Sequence, residues 1–142
     1  MVFKSLEISL SALIAERERM NIISSNLANI NSTKEGKHNP YIRRRVTFKT
    51  VLENVVDELS GDKIEVAKVK VDRIIKDAVP YRLVYDPTHP DADKNGYVKY
   101  PNVNPVREIV DMIDAMRVYQ ANLTAFNNNK AMIQKALEIG KA

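Results

Sequence analysis

The chain has 142 residues, of which 44% are apolar, and its 22 Lys and Arg against 18 Asp and Glu leave a net charge of +4. That length suits one domain with a mostly aliphatic core, since there are three Phe and no Trp. The absence of cysteine excludes disulfides and thiolate metal sites, the mild charge excess does not by itself point to nucleic acid, and no stretch reaches the roughly 18 uncharged apolar residues of a membrane span.

The first segment, Val2 to about Ile30, has no Gly or Pro and reads as an amphipathic helix. Leu6, Leu13, Met20 and Leu27 fall seven residues apart, and Phe3 and Leu10 fill the second seam position. A 3.5-residue period is characteristic of helices that wind around other helices. Ile14, Ile23 and Ile30 widen the stripe, which suits a helix with several neighbours. Asn29, Asn31, Ser32, Thr33 and Gly36 stop it.

The middle, from Asn31 to Asn104, reads as a small β-rich insertion. Tyr41–Phe48 is expected to be a strand with a basic face from Arg43, Arg44 and Arg45. Thr50–Leu59 looks helical, with Thr50 and Glu53 spaced as a capping box. Gly61-Asp62 predicts a turn. Ile64–Val71 alternates, with a phase slip at Ala67-Lys68 that predicts a bulge. Tyr81, Leu83 and Tyr85 alternate again, Asp86–Gly96 is a loop, and Gly96–Tyr100 is a last short strand.

Asn104 then predicts a helix N-cap and Pro105 its first residue. This helix runs to Ile139 and stops near Gly140. Ile109, Met116, Leu123 and Leu137 keep a seven-residue register, joined by Ile113, Phe126 and Ile133. Its 35 residues would span about 52 Å, against a radius of gyration of roughly 14 Å for a compact globule of this length. The helix must project, kink or lie in an elongated assembly. Gln120, Asn122, Asn127, Asn128, Asn129 and Gln134 supply amides that would fix register and partner choice at a cost in stability. The fold class is therefore α+β: residues 1–31 and 105–142 as a coiled-coil assembly unit, residues 32–104 as the β-rich insertion.

No residue set proposes catalysis. Asp91, Asp93, Asn95 and Gly96 match the opening of an EF-hand loop, but the twelfth place is Asn102 where a bidentate Glu is needed, and flanking helices are missing. A turn rich in Asp and Asn is the simpler reading. His38 and His89 have no second His at ligand spacing, the four Gly cannot form a phosphate cradle, and no Ser sits in a nucleophile elbow. Arg43–Arg45 beside Tyr41 and Phe48 could hold phosphates, yet a charged strand face or a contact to an acidic neighbour subunit fits the weak overall charge better. No enzyme, cofactor, small-molecule substrate, nucleic acid or membrane insertion is expected.

Asn21–Asn31 (NIISSNLANIN) resembles the motif that closes the first helix of flagellar rod and hook axial proteins, carried here by Asn26, Leu27, Ala28 and Asn29. DPTHPDADKNGYV at Asp86–Val98, YPNVN at Tyr100–Asn104 and MRVYQANLTAFNNNKAMIQKALEIG narrow the resemblance to the proximal-rod members. The resemblance implies a rod subunit that passes the flagellar type III export apparatus without a cleaved signal. It would assemble helically, in multiple copies, with other rod subunits and the adaptor at the export gate, and carry motor torque in the periplasmic space. The assembly seams would be Leu6, Leu10, Leu13, Met20 and Leu27 on the first helix. On the last they would be Ile109, Ile113, Met116, Leu123, Phe126, Ile133 and Leu137. Arg43, Arg44, Arg45, Asp86, Pro87, His89, Pro90 and Asp91 would make middle-domain subunit contacts. The alternative is a coiled-coil scaffold or adaptor outside the flagellum, which would share the helices without needing Asp86–Asn104.

Overall fold

A computed structural model of the chain describes residues 2–33, 39–56 and 63–140. The elements in order are α1 (Val2–Ala28), β1 (Arg44–Val56), β2 (Lys63–Lys76), β3 (Tyr81–Tyr85), β4 (Tyr97–Pro101) and α2 (Pro105–Ile139). β1 and β2 form one antiparallel ribbon, and β3 and β4 a second, shorter one. The α+β expectation holds. His38, Gly36, the Gly61-Asp62 turn and residues 57–59 lie outside the described residues.

The two helices pack side by side and antiparallel. Asn26 meets Glu108, Arg19 meets Asp114, and Leu13 lies beside Tyr119. The stripe that α2 hides is Glu108, Met112, Ala115, Tyr119, Asn122, Phe126, Asn129 and Ile133, at alternating spacings of four and three, with Asp111 beside Met112. On α1 the least accessible positions along the same line are Ser9, Leu13, Glu16, Ile23 and Asn26. At equal rise along both helices, Val2 falls opposite about residue 131 of α2. The last turns of α2 therefore run past the start of α1. Of Ala131–Ile139, all but Ile133 are exposed.

Local chemistry sets the helix ends. The Asn104 side-chain oxygen accepts hydrogen bonds from the Val106 and Arg107 amides at 3.0 and 3.2 Å, and Pro105 follows as the first helical residue. Asn29 closes α1: its side-chain amide donates to the Ser25 carbonyl at 2.8 Å.

The β1–β2 ribbon lies against α1. Ser11 Oγ accepts the Val69 amide at 3.1 Å, and Lys68 reaches Glu7 at 2.9 Å. Ser11, Ile14, Ala15, Val69 and Val71 line an open, mostly apolar cleft of about 300 Å³ between the two.

The expected helix over Thr50–Leu59 is not there: β1 continues to Val56. Thr50 pairs with Val69, and Glu53 accepts hydrogen bonds from Lys68 and Lys70 across the ribbon rather than capping a helix. Long-range pairing overrides the local capping signal, as it does for β-branched runs such as Val51, Val55 and Val56. The bulge is also elsewhere. Leu52↔Ala67 and Val51↔Lys68 pair regularly, and the register shifts between Thr47 and Phe48, which leaves Asp72 without a partner residue. The phase slip at Ala67 arises because both ribbon faces hide apolar groups: Val66 is buried, while Val69 and Val71 line the cleft.

In the β3–β4 hairpin Tyr85 packs edge-on to Tyr97 with ring centroids 5.3 Å apart. Gly96 sits at φ 79, where a Cβ would come within 3.0 Å of the Tyr85 ring. Glycine alone meets that turn without strain.

The core is thin, so individual residues matter. Leu13, with 8% exposure, has neighbours too few to refill a gap. Leu13→Ala is expected to lower stability by about 2–4 kcal/mol in urea unfolding followed by helical circular dichroism.

Candidate assembly interface

The sequence repeat divides between an inner and an outer helix face. On α1, Leu13 is buried and Leu6, Met20 and Leu27 are half-buried, whereas Leu10 is 47% exposed and Ser9 takes the inward place. Nothing is described of the Phe3 side chain. On α2, Phe126 and Ile133 lie on the half-buried stripe. Ile109, Ile113, Met116, Leu123 and Leu137 are exposed by 39–62%. They stand one residue round from the stripe, as Ile14 does from Leu13. In an antiparallel pair this step points to the same side on both helices. Leu10 and Ile14 of α1 and Ile113, Met116 and Leu123 of α2 thus share one open apolar face. Large apolar side chains gathered on one side of two helices, rather than scattered singly, suit a surface that meets partners.

The polar groups that hold the helices in place were not foreseen as a set. Asn26, 1% exposed, makes four hydrogen bonds. Its side-chain NH₂ donates to the Arg44 carbonyl and to Glu108 Oε2, both at 2.9 Å. Its oxygen accepts the Tyr41 hydroxyl at 2.8 Å and the Arg44 amide at 3.0 Å. Glu108, also 1% exposed, takes Arg43 Nε on Oε1 at 2.6 Å. Arg43 reaches Asp77 at 3.1 Å as well. Burial works against the Arg43 charge, but the hydrogen bonds it donates to Glu108 and then to Asp77 outweigh it and raise its pKa. The Asn26 motif and the Tyr41-to-Arg45 run, read separately in the sequence, are one structure. The missed signal was Glu108, in the first turn of α2, where a carboxylate also suits the helix dipole.

Arg43 was expected beside Arg44 and Arg45 as a subunit contact. Its side chain is instead buried and paired within the chain, because two acids from other elements converge on it. Arg45 is exposed and bonds Asp77 at 2.9 Å, and Arg44 lies over the Tyr41 ring at 5.2 Å. In the loop, Pro87 and Pro90 are exposed. Asp86 Oδ1 accepts both the Thr88 amide and hydroxyl, and the His89 ring nitrogen Nδ1 accepts the Asp91 amide at 3.0 Å. Asp91 takes the Thr33 hydroxyl at 2.7 Å, tying the loop to the residues after α1. Asp93 accepts the Asn95 and Tyr97 amides, which hold its carboxyl below the usual range. These acids are committed to turn geometry. Among the described residues no cluster of His, Cys, Asp or Glu is placed to hold a metal ion.

A family profile described as flagella basal body rod protein matches residues 6–34, and one described as flagellar basal body rod FlgEFG protein C-terminal matches residues 94–139. The chain is 45% identical to flagellar basal-body rod protein FlgC of Bacillus subtilis, over 98% of both chains. The chain belongs to the FlgC family of flagellar basal-body rod proteins. FlgC of Buchnera aphidicola from Schizaphis graminum is 46% identical over 96% of both chains, and FlgC of Salmonella typhimurium 41% over 95%. The two matched segments of this FlgC-family chain hold α2 and all of α1 but its first four residues, and so both halves of the apolar face.

Two outcomes follow from the buried charges. Glu108→Ala leaves the Arg43 guanidinium without its main partner and is expected to cost about 3–5 kcal/mol in denaturant unfolding. Glu16 is buried at the helix contact, and this desolvation raises its pKa against the opposing pull of Arg19, with Asp114 adding to the rise. The folded chain thus holds the Glu16 proton more tightly than the unfolded one. The resulting stability is complete at low pH and is lost as pH rises through the folded value. Glu16→Gln is therefore expected to raise the urea midpoint at neutral pH, with the gain fading as the pH falls to about 4.

Proposed function

We propose that the chain is a structural subunit of the proximal rod of the bacterial flagellar basal body. Its resemblance to rod proteins over nearly its whole length supports this. The observation that carries it is the open apolar face across α1 and α2, which a lone soluble chain would have no reason to keep. In the rod, neighbouring copies and other rod subunits cover that face in a helical array. Repeated contacts of this kind form a tube when the rotation between neighbours does not close a ring.

In this reading residues 1–31 and 105–142 form the axial assembly unit, and residues 32–104 form the middle domain. The subunit works by transmitting motor torque through interlocked contacts, with no bond-making chemistry. Export through the flagellar type III apparatus without a cleaved signal, assembly in the periplasmic space and contact with the adaptor at the export gate complete the proposal. Arg45, Pro87 and Pro90 are the middle-domain residues whose exposure suits subunit contacts; Arg43 is left out because it is used internally, and Arg44 because it is half-buried against Tyr41.

The test separates assembly from folding. Ile113→Asp places a charge on the open face, 42% exposed, without touching the inner stripe. The purified variant should keep the wild-type circular dichroism and melting curve. Cells carrying it as their only copy should stop swimming, and electron microscopy should show basal bodies lacking the rod above an intact inner-membrane ring. Complete rods in those cells would remove the face from the interface, and complete rods after deletion of the gene would end the rod assignment.

A further inference from the structure

The apolar contact between α1 and α2 is repetitive. Leu6, Leu13, Met20 and Leu27 recur every seven residues on the inner side of α1. Met112, Tyr119, Phe126 and Ile133 do the same on the half-buried stripe of α2. In the native alignment Leu6, Leu13 and Met20 face Phe126, Tyr119 and Met112, and Ile133 lies past the start of α1. Sliding one helix past the other by seven residues, about 10 Å, would form four such apolar layers in one direction, with Leu13 against Phe126, and two in the other. Burial of hydrocarbon is non-directional and distinguishes these registers poorly.

The polar cluster is not repetitive. Seven residues along α2 from Glu108 stands Ala115, and seven residues back along α1 from Asn26 stands Arg19. In a slipped register, Arg43 and Asn26 would meet Ala115 and remain buried with unmet hydrogen bonds. Asn26 and Arg43 are themselves fixed to one another through the β1 backbone, since Asn26 bonds both the amide and the carbonyl of Arg44. Glu108 is the group of α2 that enters this fixed frame.

We propose that Glu108 and Arg43 are the register-determining residues of this protein: they select one alignment of α1 with α2 rather than supplying the stability of the pair. Buried ion pairs are replaceable by apolar residues at little loss of stability, while a polar group at one position of a repeating seam excludes the other alignments. The alignment in turn decides which apolar residues stand together on the open face. The proposal concerns the isolated chain, so it holds or fails separately from the rod assignment.

The chain has no cysteine, so introduced pairs report alignment cleanly. In the full chain, Leu13→Cys is combined with Tyr119→Cys for the native alignment, and with Met112→Cys or Phe126→Cys for slips of one heptad. Each pair is oxidised in the otherwise unchanged chain and in an Arg43→Met, Glu108→Leu background, and disulfide yields are read on gels under dilute conditions. The unchanged chain should cross-link through Tyr119→Cys alone. The apolar background should keep its helical circular dichroism and melting midpoint, and its Leu13→Cys, Phe126→Cys pair should rise from background to a yield comparable with the native pair. Cross-linking through Tyr119→Cys alone in the apolar background would overturn the proposal. So would loss of its helical signal, which would make the pair a source of stability instead.

Discussion

The carboxylate of Glu108 meeting Arg43 and Asn26 in a water-poor junction is the contact on which the rest of the structure depends. It joins the end of α1, the entry to β1 and the first turn of α2, three places far apart in the sequence. Taking these groups out of water is costly, and the cost is met only because each finds several partners at good geometry. Asn26 uses its full hydrogen-bonding capacity. Loss of Glu108 or Arg43 alone leaves the other buried and unsatisfied, whereas replacing both with apolar residues removes the two charges together. The junction also carries the ribbon, since the Asp77 amide donates to the Arg43 carbonyl at 3.0 Å while the Asp77 carboxylate takes the Arg43 side chain.

The helices divide their apolar residues in an unusual way. The inner line includes small or polar groups, Ser9, Glu16, Ala115 and Asn122, while Ile113, Met116 and Leu123 face out. A monomer optimised for its own stability would place these the other way round. Close approach at Ala115 and the polar junction align the pair, and the larger hydrocarbon is kept for contacts outside the chain. The membership of the chain in the FlgC family fits this division, because a subunit of a larger body must hold some of its burial in reserve.

Much of this was legible in the sequence, and the failures share one cause. The 35-residue span of α2, its Asn104 cap and Pro105 start, and β3 could be read because their signals are local: a cap, a fixed φ, a strict alternation. Thr50–Glu53 misled because a capping box and a cross-strand pair use the same residues, and only the partner strand decides between them. The helix repeat showed that apolar faces exist but not which one turns inward, since Leu10 and Ser9, or Met116 and Ala115, differ by one step of rotation. Arg43 looked like its two neighbours in a basic run, and its burial follows from acids 34 and 65 residues away.

The run of α2 beyond α1 has a mechanical consequence. Copies laid along a common axis cannot abut helix end against helix end, because the projecting turns of one must lie alongside the next. Such a lap joint spreads load over the flanks of the helices, as shear between many side chains, instead of concentrating it at the chain ends. A twisting load on it would meet resistance in proportion to the length of overlap, and that length is set by where Glu108 holds α2 against α1.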